Sequence, residues 1–392
     1  MNPPAPPPSR PRVLHCLTHL ALGGAEQVAF TLLHGLRTQG EFAVFTALDR
    51  PGDEIGARRR RDLAAAGVPL HPGTRFPFKL GGMLLAGHRL ALAVRRFRPD
   101  LLHLHTEIPE AAAAAMVALH PATARMPVVR TIHNSVYWAH WRPLGRWCDR
   151  RLPRPFVVGV SAAALTAFAR LRAESRAGPL PASPVLIPNG VIAPPARRPP
   201  DRTSANLIRI LFAGRFEPQK GADLLPDVLR LVRPPAGRDC ELILHGHGSL
   251  EPLLRALAAH PPPGWHVQVL GPRADLSAGL TDFDLVLMPS RFEGLSLLAV
   301  EAQQAGVPVI ATDAPGLQET LPAHHPWVAR AGDAASFARC LQAALAAPAS
   351  WSAVAEQARG QALTRFDAGR MCAAYLDLYA AAFGHRAPIS PE

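Results

Sequence analysis

The segment PSRFEGLSLLAVEAQQAGVPVIATDAPG, residues 289–316, decides how the rest of the chain is read. A strand, DLVLM, ends at Met288; a turn with Pro289 and Ser290 follows, then a helix beginning near Ser296, then a second strand at 307–311 (VPVIA). A strand, a helix and a strand in immediate succession point to a parallel sheet with a helical crossover. Gly294 lets the backbone approach a ligand closely, and the unpaired N–H groups from Gly294 through Leu295 and Ser296 to Leu297 point along the helix axis, which suits a phosphate. Glu293 stands just before the helix and Glu301 one to two turns into it. Two carboxylates beside an anion site repel phosphate and suit hydroxyls, so one diphosphate with a sugar on each side accounts for both acids. Taken singly, Glu293 reads as an acid that complements the helix dipole and Glu301 as a solvated helix residue.

The same beat runs outward in both directions. Upstream strands fall at 12–17, 42–48, 100–105, 127–132 and 156–160, with helical periodicity at 24–39 and 161–173. Seven prolines between 181 and 206 interrupt the pattern, and it restarts at 207–213, 241–245 and 266–270. Helices follow at 333–347, 351–364 and 368–383, the last with Met371, Tyr375, Leu378, Tyr379 and Ala382 along one face. Strands alternating with helices in two blocks predict two doubly wound α/β domains with the ligand crevice at the carboxyl ends of their strands, in the cleft between them.

At 392 residues, 48% hydrophobic and 18% charged, the chain has enough apolar side chain for two or three cores. The net charge of +12 is unevenly spread: residues 1–200 hold 26 basic and 11 acidic side chains, while 201–392 hold 16 and 19. The basic half suits an acidic surface or polymer, with anionic lipid and nucleic acid both candidates; an ordinary arginine-decorated surface is the plain alternative. The five cysteines contain no C-x-x-C pair, which fits a reducing compartment without disulfides or a zinc site. The opening MNPPAPPPSRPR lacks the apolar core of a secretion signal, and no apolar run is long enough to span a bilayer.

The pair Glu293 and Glu301, within PSRFEGLSLLAVEA and followed by AGVPVIATDAPGLQE, resembles the nucleotide-sugar signature of glycosyltransferase family 4, retaining enzymes of the GT-B fold. IPNGV at 187–191 resembles the family's interdomain segment, AGRFEPQKGADLLPDVL at 213–229 its phosphate-binding turn, and ELILHGHGSLEPLL at 241–254, with Gly246, its glycine loop. LALGGAEQVAF at 20–30 resembles its N-terminal glycine loop and VVGVSAAALTAF at 157–168 its last strand and helix of the first domain. The resemblance implies an α/β GT-B enzyme, two Rossmann-like domains facing a central cleft, that moves a sugar from a nucleotide diphosphate donor to a glycan or lipid-linked acceptor with retention of configuration. The implied division is a disordered tail at 1–11, an acceptor-side domain at 12–190, a linker at 191–206, a nucleotide-sugar-binding domain at 207–366, a helix at 367–383 returning to the first domain, and a tail at 384–392. An epimerase of the same fold and a non-catalytic basic binding module are the alternatives.

Arg215 and Lys220 bracket a proline after a strand end, so both cations can reach one point over a helix expected near Gln219 and neutralise a departing diphosphate. Gly23 and Gly24 stand between a strand and a helix and read as a second set of backbone donors or as a tight turn. In the family the histidine at the position of His133, within TIHN, lies near the transferred sugar and is followed by an acid; here Asn134 follows, which removes a carboxylate that would tune it. Asp282 and Asp284 match a D-x-D metal motif but read as a turn residue and the polar edge of a strand, so no metal and no cofactor is expected. His103 and His105 share one strand face without a third ligand in sight. Arg58, Arg59, Arg60 and Arg61, then Phe76, Phe78 and Lys79, then Tyr137, Trp138, Trp141, Arg142, Arg146, Trp147, Arg150 and Arg151, mix cations with aromatics as a membrane interface does. The expected place is therefore cytoplasmic, peripheral on the inner face of the cell membrane, without nucleic acid as a partner.

Overall fold

A computed structural model describes residues 10–49, 54–152, 155–193, 206–273 and 275–384. Most of the expected tails and residues 194–205 of the linker lie outside the described residues. The chain divides into two compact units, residues 1–190 with 368–392, and residues 191–367.

In unit 1, strands β1 (Arg12–Leu17), β2 (Glu41–Leu48), β3 (Leu70–Thr74), β4 (Leu101–His105), β5 (Val128–Ile132), β6 (Phe156–Gly159) and β7 (Val185–Leu186) form a parallel sheet in the order β3-β2-β1-β4-β5-β6-β7. Helices α1 (Gly24–Leu36), α2 (Glu54–Ala65), α3 (Gly82–Phe97), α4 (Glu107–Leu119), α5 (Arg142–Arg151) and α6 (Ala162–Ser175) make the crossovers. Strands β4 and β5 are buried along their whole length, as apolar runs covered on both faces must be. β3 was not expected: LHPGT contains Pro72 and Gly73 and reads as a turn. Its place at the sheet edge, paired only with β2, tolerates the missing proline N–H. The alanine run Ala111–Ala115 is fully buried in α4, and no described helix is long and apolar enough to cross a membrane.

Unit 2 repeats the plan with β8 (Leu207–Ala213), β9 (Asp239–His245), β10 (Trp265–Leu270), β11 (Leu285–Met288), β12 (Val309–Thr312) and β13 (Val328–Ala329), all parallel, in the order β10-β9-β8-β11-β12-β13. Helices α7 (Leu225–Leu231), α8 (Glu251–Ala259), α9 (Leu297–Gln304), α10 (Ala334–Ala346) and α11 (Trp351–Arg365) cover it. Ile208, Ile210 and Phe212 of β8 share a core with Phe337 and Leu341 of α10. Leu211, between them on the opposite face, joins Ala299 and Ala302 of α9. Each such large side chain contributes roughly 1.5–3 kcal/mol by leaving water. The final helix, α12 (Ala368–Gly384), belongs to unit 1 and buries Met371, Tyr375, Tyr379 and Ala382, with Cys372 and Phe383 added to the expected face and Leu378 only half-buried.

Strand order reverses between β1 and β4 in unit 1 and between β8 and β11 in unit 2. Loops leaving adjacent strands on opposite sides open a crevice at such a point. Four loops therefore matter: those after β1, β4, β8 and β11.

Candidate active site

The loop after β8 does not enter a helix near Gln219 as expected. Pro218–Lys220 forms a single 3-10 turn closed by Gly221 at φ 70°, a second turn spans Ala222–Leu224, and α7 begins only at Leu225. A Cβ at position 221 would lie 2.0 Å from the carbonyl oxygen of Pro289, so glycine is what lets this turn sit against the loop after β11. That contact sets the chemistry. Lys220 Nζ donates to both oxygens of Glu293, at 2.6 and 2.9 Å, and Ser290 Oγ donates to Glu293 Oε1 at 2.7 Å. Glu293 is buried, and its backbone N–H donates to the oxygen of Pro315 at 2.9 Å. Arg291 ties the loops together, donating from its backbone to Gln219 at 2.8 Å and from its guanidinium to both oxygens of Asp223 at 2.7 and 2.8 Å.

Ser296 caps α9, its hydroxyl accepting from Ala299 N at 3.4 Å. The backbone N–H groups of residues 294–297 have no hydrogen-bond partner among the described residues. Glu301, half-buried on α9, has no side-chain partner among them either, and burial pushes its carboxyl up to about 7. The carboxyl edge of unit 2 thus offers an ammonium with a third donor beyond the two Glu293 holds, a row of N–H groups at a positive helix end, and a carboxyl without a partner.

In unit 1 the corresponding edge carries Gly23, Gly24, Thr106, Glu107 and His133. Gly23 precedes α1, and a Cβ there would fall 2.1 Å from Glu26 Oε2, so the glycine makes room for a buried carboxylate. Thr106, which joins β4 to α4, has φ 73° and ψ 173°, a conformation that side chains rarely adopt, and its hydroxyl lies 2.9 Å from that of Thr18. Burial raises the pKa of Glu107, which accepts from Trp138 N at 3.4 Å. His133 Nε2 lies 3.0 Å from His105 Nδ1, and burial lowers its pKa to about 3, so the ring is neutral.

Two family models match the chain, Glycosyltransferase Family 4 over residues 22–193 and Glycosyl transferases group 1 over residues 208–347. The chain is 30% identical to the glycogen synthase of Mycobacterium tuberculosis over 329 residues, 78% of this chain and 75% of that protein. The chain belongs to glycosyltransferase family 4. A second relative, the D-inositol 3-phosphate glycosyltransferase of Jonesia denitrificans, is 41% identical over 116 residues, 28% of this chain and 27% of that protein. Among solved structures, Anabaena Alr3699/HepE in complex with UDP-glucose superposes with a TM-score of 0.75 at 21% identity, covering 94% of this chain and 99% of that one, which shows the GT-B fold.

Several residues of this glycosyltransferase stand differently from their sequence reading. Lys220 and Glu293, assigned to different parts of a donor, are paired with each other. Arg215 is exposed and donates to Gln219 Oε1 in the same turn. The Gly246 amide donates to the oxygen of Leu270 at 3.0 Å, so that donor is occupied within the fold. Asp284, by contrast, stands as read: its Oδ2 accepts from Arg209 N at 2.7 Å, a strand-edge contact. His103 and His105 do have a third imidazole beside them, His15 of β1, with nitrogen atoms of all three within 4.8 Å.

The basic and aromatic stretches are divided between the interior and the surface. Arg59 is buried, donating to the oxygens of Leu20 and Ala21 and to Gln27, and Arg60 pairs with Asp49. Tyr137 and Trp138 are buried over Glu110, and Arg142 pairs with Glu174 at 2.7 Å. Both runs are partly engaged in the fold, while Arg58, Arg60, Arg61, Arg150 and Arg151 stay exposed. Beneath the second lies Arg130, fully buried between Glu110 at 3.0 Å and Asp149 at 2.7 Å. Sequence reading missed it because an arginine inside the apolar strand VVRTI carries no mark of its partners.

Proposed function

We propose that this glycosyltransferase takes a hexose from a nucleoside diphosphate sugar and transfers it with retention of configuration, without a metal ion. The observation that carries the reading is the Lys220–Glu293 pair beside the unpartnered N–H groups of α9. Lys220 uses its remaining donor on the diphosphate, Arg215 and the start of α9 share the developing negative charge, and Glu293 stays oriented to accept from sugar hydroxyls. Glu301 accepts from the ribose hydroxyls. We assign His133 to the transferred sugar and Gly23 and Gly24 to the phosphate side of the donor. The bond from the anomeric carbon to the phosphate oxygen breaks with its electron pair on the diphosphate; the acceptor oxygen bonds to the same face of that carbon, and its proton ends on the diphosphate. UDP and UDP-glucose in solved relatives of this fold make uridine donors the first to try.

Incubation with a panel of nucleotide sugars and acceptors, with product anomers read by NMR, tests this. A glycosylated acceptor with the donor's anomeric configuration, formed equally with and without EDTA, is expected. An epimerised sugar nucleotide, inversion, or loss of activity restored by Mn²⁺ rejects the corresponding part.

For the acceptor we propose a lipid-linked glycan met peripherally at an anionic membrane on the cytoplasmic side. With the arginine run partly engaged in the fold, the supporting surface moves to the 3-10 turn Phe78–Leu80 and the start of α3, where Phe76, Leu80, Leu84 and Leu85 are all exposed beside Arg75 and Lys79. Exposed leucine and phenylalanine with adjacent cations suit the head-group boundary. Sedimentation with anionic vesicles is expected for the wild type and lost in a Phe76→Ser, Leu80→Ser, Leu84→Ser variant; wild type in the supernatant at low salt rejects the membrane.

A further inference from the structure

Three histidines of unit 1 form a chain whose two links run in the same sense. His15 Nδ1 lies 3.1 Å from His105 Nε2, and His105 Nδ1 lies 3.0 Å from His133 Nε2. Adjacent rings are stacked with centroids 5.3 Å apart at both links. At the inner end, His15 Nε2 is buried without a hydrogen-bond partner among the described residues. At the outer end the half-buried ring of His133 has Nδ1 left for a ligand.

The neighbouring His103 stands outside this chain, held by the hydroxyls of Tyr379 and Thr131, each at 2.7 Å. The cluster of His15, His103 and His105 does not make a good cation site. The hydrogen-bond partners of these rings are other imidazoles and hydroxyls, with no carboxylate, and a divalent ion there would be a buried charge without a counter-ion.

A neutral imidazole has one N–H and one lone pair, and each link needs one of each. Because every link joins Nδ1 of one ring to Nε2 of the next, all three rings carry their proton on Nδ1 or all three carry it on Nε2. Reversing the chain requires a proton to enter or leave His15 Nε2, which has neither partner nor solvent. Pushing an extra proton inward fares no better, since burial holds the pKa of His15 at about 3 and that of His105 well below its ordinary value.

We infer that His15 and His105 are positioning residues that lock His133 in one tautomer, so that His133 Nδ1 presents one fixed hydrogen-bonding sense to its ligand and His133 neither takes up nor releases a proton during transfer. The consequence for turnover rests on the assignment of His133 to the transferred sugar; the lock itself does not.

Long-range ¹H–¹⁵N correlation spectra of the histidine rings in the full-length protein test the lock without any ligand. His15, His105 and His133 should show the same tautomer, each without averaging. A mixed set, or an averaged His133, overturns the inference. In His105→Leu, which removes the ring bonded to His133 Nε2, His133 should shift toward an average of both tautomers and kcat should fall about tenfold at unchanged donor KM, as when the partner orienting a functional imidazole is removed. His105→Asn, whose amide offers a donor and an acceptor near the former Nδ1, should restore a single tautomer and most of kcat. An unchanged His133 signal in His105→Leu overturns the lock. If the shared tautomer is seen but nucleotide sugar leaves His133 unmoved and His133→Ala turns over normally, the lock stands and the sugar assignment of His133 falls.

Discussion

At the strand-order reversal of unit 2 a lysine holds a carboxylate in an ion pair; near the equivalent reversal of unit 1 stand a row of neutral imidazoles and a half-buried pair of threonine hydroxyls. The topology is shared, so the difference comes from the side chains the loops carry. Ion pairs at the edge of unit 2 are built to meet charge, and lysine can keep Glu293 while adding a phosphate. The unit 1 edge also carries carboxyls, Glu26 and Glu107, but its imidazole row hydrogen-bonds without changing charge. Unit 1 does contain a charged network, Arg130 with Glu110 and Asp149, but it is sealed in the core, where it fastens β5 to α4 and α5.

The largest effect should come from that sealed network. Arg130→Met leaves Glu110 buried without its cation and Asp149 with Arg172 alone, and is expected to cost about 3–5 kcal/mol; denaturant unfolding that shows an unchanged midpoint would mean the network is not confined as described. Next is Lys220→Ala, which removes the cation from the unit 2 edge and should lower kcat/KM by roughly 10²–10³-fold, measured in steady state with the best nucleotide sugar. An effect below threefold would remove the contrast between the two edges.

A smaller and more selective pair sharpens the assignment within unit 2. Glu301→Ala should weaken nucleoside diphosphate binding by about tenfold, the size of a lost charge-assisted hydrogen bond. Glu293→Ala frees Lys220, so it should hold or tighten the sugar-free diphosphate while turnover falls. Equal weakening in calorimetry would show that the two acids are not divided between ribose and sugar.

The smallest effect is a pH dependence. The Glu301 carboxyl is raised to about 7 by burial, above its ordinary value of 4.5, so its charged form appears only as pH rises through neutrality. Its contribution to fold stability is complete below 4.5 and is lost as pH rises through 7. Nucleotide binding that uses the carboxylate runs the other way, strengthening above 7 and weakening a few-fold between pH 7 and 6. The difference between wild type and Glu301→Gln isolates this term; two parallel profiles would show that the carboxylate does not meet the nucleotide.

Much of this was legible in the residues. Apolar runs alternating with helical periodicity located most strands to within two residues, because parallel strands covered on both faces must be continuously apolar. The exceptions were edge strands β3 and β13, which are too short or too proline- and glycine-rich to announce themselves, since an edge needs pairing on one side only. Glu293, Glu301 and Lys220 were named from local spacing, and His133 from the family resemblance. By itself the sequence determined the two-block α/β alternation, the glycines at strand–helix junctions and the types of polar residue at strand ends, because these depend on backbone conformation and neighbours a few positions away. Only the tertiary structure decided that Lys220 holds Glu293 across 73 residues, that Arg59 and Arg130 are buried, and that His15 completes a chain with His105 and His133 from 90 residues away. Those pairings depend on which strands become neighbours and how their loops approach, and side chains within hydrogen-bonding distance leave no periodic trace along the chain.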